Sequence, residues 1–228
     1  MDRLRQEFIE FALASKVLVF GEFLTKGGRL SPYFFNAGMF SRGAALGKLA
    51  RFYAQTLLAA RAKNGMDFDM LFGPAYKGIT LASATAVALA ELGADVPFAF
   101  NRKEAKDHGE GGVIVGGPLK GKVVIVDDVI TDGAAKRESV ALIRSQGATP
   151  VAVLIALDRM ERGGTPVPGQ PMSAQSAVKA FEQEFGVPVI SIADFGDLMQ
   201  FLDSDSPLAR DARAYRPAME QYRNTYGA

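Results

Sequence analysis

The chain has 228 residues, 48% of them hydrophobic, a formal charge of +1 and no cysteine. That length can bury a substantial interior in one large domain, near-zero charge argues against a nucleic-acid binder with a basic face, and disulfides and thiolate metal sites are excluded. No apolar run approaches a membrane span, and "MDRLRQEFIE" lacks the order of a signal peptide, so a cytoplasmic location with no membrane partner is expected.

Leu4, Phe8 and Phe11 keep a helical period, widened by Ile9 and Leu13, so an amphipathic helix is predicted at the start. "VFGEFLTKGGRLSPYFFNAG" holds two β-prone runs broken at Gly27-Gly28, a hairpin or loop pair. Leu46, Leu49, Tyr53 and Leu57 predict a helix from Gly43 to about Lys63, stopped at Asn64-Gly65. Then strands and helices alternate. "DMLFG" leads to a helix from about Lys77 to Leu92, "VPFAFN" is a second strand, and "KVVIVDD" and "VAVLIALD" flank a helix from Gly133 to Ser145. "VPVISIAD" follows a helix near Ala174 to Phe185.

Aliphatic strands separated by helices predict an α/β fold with a mostly parallel central sheet flanked by helices. Two segments break the rhythm. "NRKEAKDHGEGGVIVGGPLKG" is polar, glycine-rich and longer than an ordinary connection, so a functional loop is expected over 101–121. "MERGGTPVPGQPM" is the other. The tail "DSDSPLARDARAYRPAMEQYRNTYGA" reads as one more helix, packing with the first to cover a site.

Ligands of open parallel sheets bind beyond the carboxyl ends of the strands, and those ends are polar here. The first carries Tyr76 and Lys77, the second "NRKEAK", the third Asp127 and Asp128, the fourth Asp158 and Arg159. After the acidic pair, "TDGAA" opens a helix whose unpaired N–H groups and positive dipole end form a phosphate cradle, to which Thr131 adds a hydroxyl. The spacing is neither a P-loop nor a dinucleotide fingerprint. A single aspartate would suffice to cap the helix. Two carboxylates ahead of a phosphate cradle suit a sugar phosphate, accepting from vicinal hydroxyls and stabilising positive charge on the ring.

The acidic pair followed by "VITDG" resembles the ribose-phosphate motif of type I phosphoribosyltransferases. With "TKGGRLSPYFFNAG", "GPAYKGI", "FNRKEAKDHGEGG" and "LDRMERG" in order from about Glu22 to Gly163, the chain is similar to the orotate phosphoribosyltransferases. The resemblance implies a type I phosphoribosyltransferase fold. A hood would cover 1–42 with help from the C-terminal segment, a core would span 43–203 with a lid loop at 101–121, and a helix would occupy 204–228. It implies transfer of ribosyl 5-phosphate from phosphoribosyl pyrophosphate to N1 of orotate, giving orotidine 5′-monophosphate for pyrimidine (UMP) biosynthesis. Mg²⁺ would accompany the pyrophosphate, held by it and by water rather than by the protein, and the enzyme would be a homodimer sharing its lid loop.

By the same resemblance, Asp127 and Asp128 hold the ribose hydroxyls and support the transition state, with Lys103 and His108 as further catalytic groups. Val129, Ile130, Thr131, Asp132, Gly133, Ala134 and Ala135 wrap the 5-phosphate. Lys26, Tyr76, Lys77, Arg102, Lys103, Lys106 and His108 contact phosphoribosyl pyrophosphate. Phe34 and Phe35 flank orotate, and Thr131 and Arg159 bind its polar edge and carboxylate. Cations arriving with a closing loop would act where the leaving group gathers charge, and a guanidinium grips a carboxylate in a fork.

Taken singly, these residues have duller readings: "YFF" as strand core, "RKEAKDH" as a solvated charge run, the lone His108 as a surface residue, Arg159 as a partner for Asp158 or Glu161. The ordered set outweighs them. One departure stands out: the family's Thr-Ala-Gly-Thr turn is Thr131-Asp132-Gly133-Ala134 here. A carboxylate about 5 Å from a phosphate charge is repelled by about 3 kcal/mol at an effective dielectric of about 20, so Asp132 is expected to point away. Competing readings are a phosphoribosyltransferase for another base, a non-catalytic regulator keeping the fold as a sensor, and a plain sugar-phosphate-binding domain.

Overall fold

The computed structural model describes residues 1–25, 28–106, 112–130, 133–163 and 173–228. Helix α1 (Arg3–Ala14) is capped by Asp2, whose carboxylate accepts from the Arg5 N–H. Strands β1 (Leu18–Leu24) and β2 (Leu30–Phe35) then pair antiparallel, so of the two alternatives for this stretch the hairpin holds rather than the loop pair. Helix α2 (Gly43–Asn64) ends on Gly65 at φ 65°, the left-handed stop that Asn64-Gly65 predicts.

From there the chain builds one six-stranded sheet from β3 (Met70–Gly73), β4 (Phe98–Lys106), β5 (Gly112–Gly116), β6 (Lys122–Val126), β7 (Thr149–Asp158) and β8 (Val189–Asp194), in the order β5-β4-β3-β6-β7-β8. All neighbours run parallel except β4 and β5. Side chains alternate across a strand, and β6 shows the result. Val124 and Val126 join the core under α1, α2 and α3 (Lys77–Glu91), whereas Val123 and Ile125 join the core under α4 (Ala134–Ser145) and α5 (Ala177–Phe185). Both sheet faces are covered, as near-continuous aliphatic strands require.

Two expectations need correction. The polar stretch 101–121, expected as a loop throughout, is in its described part largely an antiparallel ribbon. β4 runs on to Lys106 and β5 returns beside it, with Phe100 opposite Val115 and Asn101 opposite Ile114. Val113, Ile114 and Val115 are β-branched, and that local preference outweighs the surrounding glycines. The tail is likewise not one helix. It comprises α7 (Pro207–Ala212), a 3-10 turn (Arg213–Tyr215) and α8 (Arg216–Tyr226). Pro217, which lacks an N–H, is tolerated because it falls in the first turn of α8. Ahead of them lies α6 (Phe195–Leu202), which the periodicity missed. It starts at a capping box in which Asp194 and Asp197 each accept the other's backbone N–H at 2.9 Å.

Candidate active site

The acidic pair sits where β6 ends, and strand alternation continues through it. Asp127 falls on the α4 side and Asp128 on the α3 side, and each meets a lysine from the helix on its own face. Lys136, in the first turn of α4, donates from Nζ to Asp127 Oδ2 and, at 2.6 Å, to the carbonyl of Val129. Lys77, the first residue of α3, donates from Nζ to Asp128 Oδ2 at 2.6 Å. Two adjacent carboxylates are therefore tolerated because they diverge and each has a counter-ion. Both ammoniums sit at helix N-termini, where the dipole disfavours cations, so the aspartates offset that cost as well.

The backbone around the pair is anchored from several elements. Asp128 Oδ1 accepts from the Val129 N–H at 2.9 Å, and Asp127 Oδ1 from the Asp128 N–H at 2.9 Å. The Tyr53 hydroxyl of α2 donates to the Asp127 carbonyl at 2.8 Å, and the Ala156 N–H of β7 donates to the Asp128 carbonyl at 2.9 Å. Burial pushes the Asp127 carboxyl above the usual aspartate range; Lys136 pulls it back and Asp128 adds to the rise.

Glycine brings α3 close enough to deliver Lys77. A Cβ on Gly73 would lie 2.0 Å from the Gly78 carbonyl oxygen, and one on Gly78 would lie 2.5 Å from Pro74 and 2.9 Å from the Val126 carbonyl. Between them, the Ala75–Tyr76 peptide is cis and the Ala75 N–H donates to Asn101 Oδ1 at 3.0 Å. Tyr76 is exposed, with the Lys103 ammonium 4.9 Å from its ring centroid. Arg102 donates to the Gly112 carbonyl across the β4–β5 ribbon at 3.2 Å. A cavity of about 230 Å³ opens among Pro74, Arg102, Lys103, Ala135 and Ser139. Tyr76, Lys77, Arg102 and Lys103 thus gather at one end of the sheet. On the other side of the acidic pair, Gly133 adopts φ 75° and its carbonyl accepts the Lys136 and Arg137 N–H groups, starting α4.

Beyond β7 a second cluster forms around Glu161. Its Oε1 accepts from Arg159 Nε at 2.6 Å and from the Tyr222 hydroxyl of α8 at 3.0 Å, and its Oε2 accepts from Arg29 at 3.0 Å. The Arg159 guanidinium lies 5.0 Å from the ring centroid of Tyr33, which is fully buried and meets Tyr222 edge-on at 6.2 Å. Burial opposes the charge on Arg159, but Tyr33, Glu161 and Tyr222 more than offset it and raise its pKa above the ordinary arginine value.

The expected residues do not all converge. Phe34 and Phe35 alternate on β2: Phe34 is 39% exposed and leans on Phe23, whereas Phe35 is buried against Phe8 of α1. Their two side chains cannot form one slot. The Ile130 side chain is in the core under α4, while Val129 is half-buried. Lys26, His108, Thr131 and Asp132 lie outside the described residues, as do the side chains of Lys106 and Ala134, so the expected orientation of Asp132 falls there too. Lys136, Arg29 and Tyr222 escaped the sequence reading, whereas the duller readings of Glu161 as a partner for Arg159 and of Tyr33 as strand core both hold. Lys136 did leave a signal, since a cation in the first turn of a helix opposes the dipole.

A family profile described as "Phosphoribosyl transferase domain" matches residues 39–187. That match, with an acidic pair and glycine turn at the carboxyl ends of a parallel sheet, defines the class as a phosphoribosyltransferase. The orotate phosphoribosyltransferase of Herminiimonas arsenicoxydans is 60% identical over 227 residues, covering 100% of this chain and 99% of that protein. That of Cupriavidus necator is 60% identical, covering 98% of this chain and 95% of its own. A crystal structure of orotate phosphoribosyltransferase from Francisella tularensis superimposes with a TM-score of 0.80 at 39% identity, covering 97% of this chain and 100% of that one. The chain belongs to the orotate phosphoribosyltransferase family.

Proposed function

We propose that the chain transfers the ribosyl 5-phosphate group of phosphoribosyl pyrophosphate to N1 of orotate, using the cluster around Asp127 and Asp128. The C1–oxygen bond to pyrophosphate breaks, the C1–N1 bond forms, pyrophosphate leaves and the N1 proton is released. The carrying observation is that two diverging, buried carboxylates each face a lysine from the opening turn of a different helix.

Asp128 accepts the ribose hydroxyls and stabilises the cationic ring of the transition state, with Asp127 adding fixed negative charge behind it. Gly133 and the turn before it receive the 5-phosphate at the start of α4. Lys77, Arg102 and Lys103 face the diphosphate, and such donors are typically worth about 3–4 kcal/mol each where charge develops. Lys26, Lys106, His108 and Thr131 keep the diphosphate and orotate contacts implied by the resemblance. Arg159 takes the orotate carboxylate in a fork, while Phe34 and the backbone of β2, including Phe35, border the ring.

The family implies Mg²⁺, and the donor set fits an ion carried in by the diphosphate. Each carboxylate of the pair already accepts an ammonium, and among the described residues no group of three His, Cys, Asp or Glu could hold a metal. When bound, Mg²⁺ neutralises charge on the departing diphosphate. Among the described residues no helix is long and apolar enough to cross a membrane, and the reading retains a cytoplasmic enzyme.

The enzyme works as a homodimer in which the 101–121 segment, carrying Lys103, Lys106 and His108, reaches the partner's site. Mixing an inactive Lys103→Ala chain with an inactive Asp128→Ala chain restores activity if so; a dead mixture containing mixed dimers rejects the sharing. The function itself is tested by following orotate absorbance with phosphoribosyl pyrophosphate and Mg²⁺, and by offering adenine, hypoxanthine and uracil separately. Orotate alone should be consumed, and Asp128→Asn should slow turnover at least about 100-fold. Consumption of a purine in place of orotate would overturn the assignment.

A further inference from the structure

The two lysines facing the acidic pair differ in one respect that matters. The Lys77 side chain is 50% exposed, whereas Lys136 is 8% exposed and its partner Asp127 9%. Lys77 can leave Asp128 for another anion without stranding its own charge, because water or a diphosphate can receive it. Lys136 cannot leave Asp127 without placing an unpaired ammonium in a buried site, which is strongly unfavourable. Its Nζ is also held at 2.6 Å by the carbonyl of Val129, so it ties the acidic pair to the start of the segment leading into α4.

From this asymmetry we propose that Lys136 is a positioning residue for the transfer reaction, a permanent counter-ion that fixes Asp127, while Lys77 is an exchangeable counter-ion that uncovers Asp128 as the diphosphate binds. The inference rests on the function proposed above. Its consequence is a division of labour: only one acid of the pair gains acceptor capacity when substrate arrives. The groups facing Asp127 from the elements packed on it are Lys136 of α4, Asp128 beside it with Lys77 of α3 behind, and Tyr53 of α2 at its carbonyl. Lys136 is the cation bonded directly to that carboxylate. Removing the ammonium therefore leaves burial and Asp128 to favour a protonated Asp127.

Two measurements test the proposal. In the first, Lys136→Met is compared with Lys136→Arg and with the charge-balanced pair Asp127→Asn/Lys136→Met. Lys136→Met should lower kcat at least tenfold while the orotate KM stays within about twofold, and should move the acid limb of the kcat–pH profile upward. Lys136→Arg should recover most of the loss. The double variant should melt at a higher temperature than Lys136→Met while remaining slow. Native kcat and an unmoved acid limb in Lys136→Met would overturn the inference.

The second measurement uses the native protein and survives any folding defect. Lysine acylation by acetic anhydride, read by peptide mass spectrometry, should label Lys77 readily and Lys136 hardly at all. Phosphoribosyl pyrophosphate with Mg²⁺ should protect Lys77 several-fold. Equal labelling of both lysines, or no protection of Lys77 in a chain that turns over orotate, would reject the scheme. A native chain that does not turn over orotate would instead reject the proposed function.

Discussion

Arg159 Nε lies 2.6 Å from Glu161 Oε1, and Glu161 also balances the buried Arg29 through its other oxygen at 3.0 Å. One carboxylate thus serves two guanidiniums from different parts of the chain, Arg29 before β2 and Arg159 after β7. The hydroxyl of Tyr222 donates to the same carboxylate at 3.0 Å, which brings α8 into the cluster. The aim of the proposed orotate-binding arginine therefore depends on the hairpin and on the C-terminal helix together.

Replacing Glu161 by Gln removes that shared charge while keeping the side-chain shape. Breaking a buried ion pair from one side costs about 3–5 kcal/mol, and the low exposure of all three side chains places this variant near about 3 kcal/mol. Thermal melting should register the loss. Steady-state kinetics should show the orotate KM rising several-fold while the phosphoribosyl pyrophosphate KM changes little. An unaltered orotate KM would show that Arg159 is aimed without Glu161.

The fold was legible where period and punctuation agreed. Gly65 stops α2 and the aliphatic run before Asp127 makes β6, because each signal is local. In the cluster around Glu161 only the Arg159–Glu161 pair, two residues apart, was legible, since Arg29 and Tyr222 join it by tertiary placement alone. Phe34 and Phe35 show the opposite failure: the motif was visible, yet period-2 alternation on β2 separates what the motif lists side by side. Lys136 lies between these cases. Its place in a helical first turn was readable, but its partner became identifiable only when α4 was set on the face of β6 that carries Asp127.

Gly73 and Gly78 set the approach of α3 to the sheet. A methyl group at position 73 would stand 2.0 Å from the Gly78 carbonyl oxygen and 2.9 Å from the Ala82 Cβ. The nearest obstacle is backbone, so the relief available to a flexible side chain is absent. Gly73→Ala should cost at least the about 1–3 kcal/mol typical of overpacking. It should also shift Lys77 away from Asp128, lowering kcat with phosphoribosyl pyrophosphate in calorimetrically folded protein. A variant with native melting temperature and native kcat would mean that α3 can retreat freely.

Chelation separates folding from turnover. The described residues offer no cluster of three metal-ligating side chains, and the carboxylates of the pair are engaged with lysines. Excess EDTA should therefore leave the melting temperature of the protein alone unchanged and abolish orotate consumption. Phosphoribosyl pyrophosphate should raise the melting temperature more with Mg²⁺ than without, as a ligand that binds only the folded state does. A large EDTA-induced drop in the protein alone would reveal a resident metal site.

Asp158 closes β7 opposite Asp194 of β8, and its Oδ1 accepts the Met160 N–H at 2.8 Å. Burial raises its carboxyl above the usual aspartate range despite that hydrogen bond, with Asp194, Glu182 and Glu161 adding repulsion. A raised folded-state pKa means that the folded chain holds the proton more tightly than the unfolded chain. Its contribution to stability is complete below the ordinary aspartate pKa and is lost as pH rises through the folded value. Asp158→Asn keeps the acceptor for the Met160 N–H and removes the charge. The variant should melt above the native chain at pH 8, and the gap should close and vanish as pH falls below the ordinary aspartate range. Melting curves between about pH 3 and about pH 8 decide the matter, because a gap that stayed constant with pH would show that ionisation of Asp158 carries no penalty in the fold.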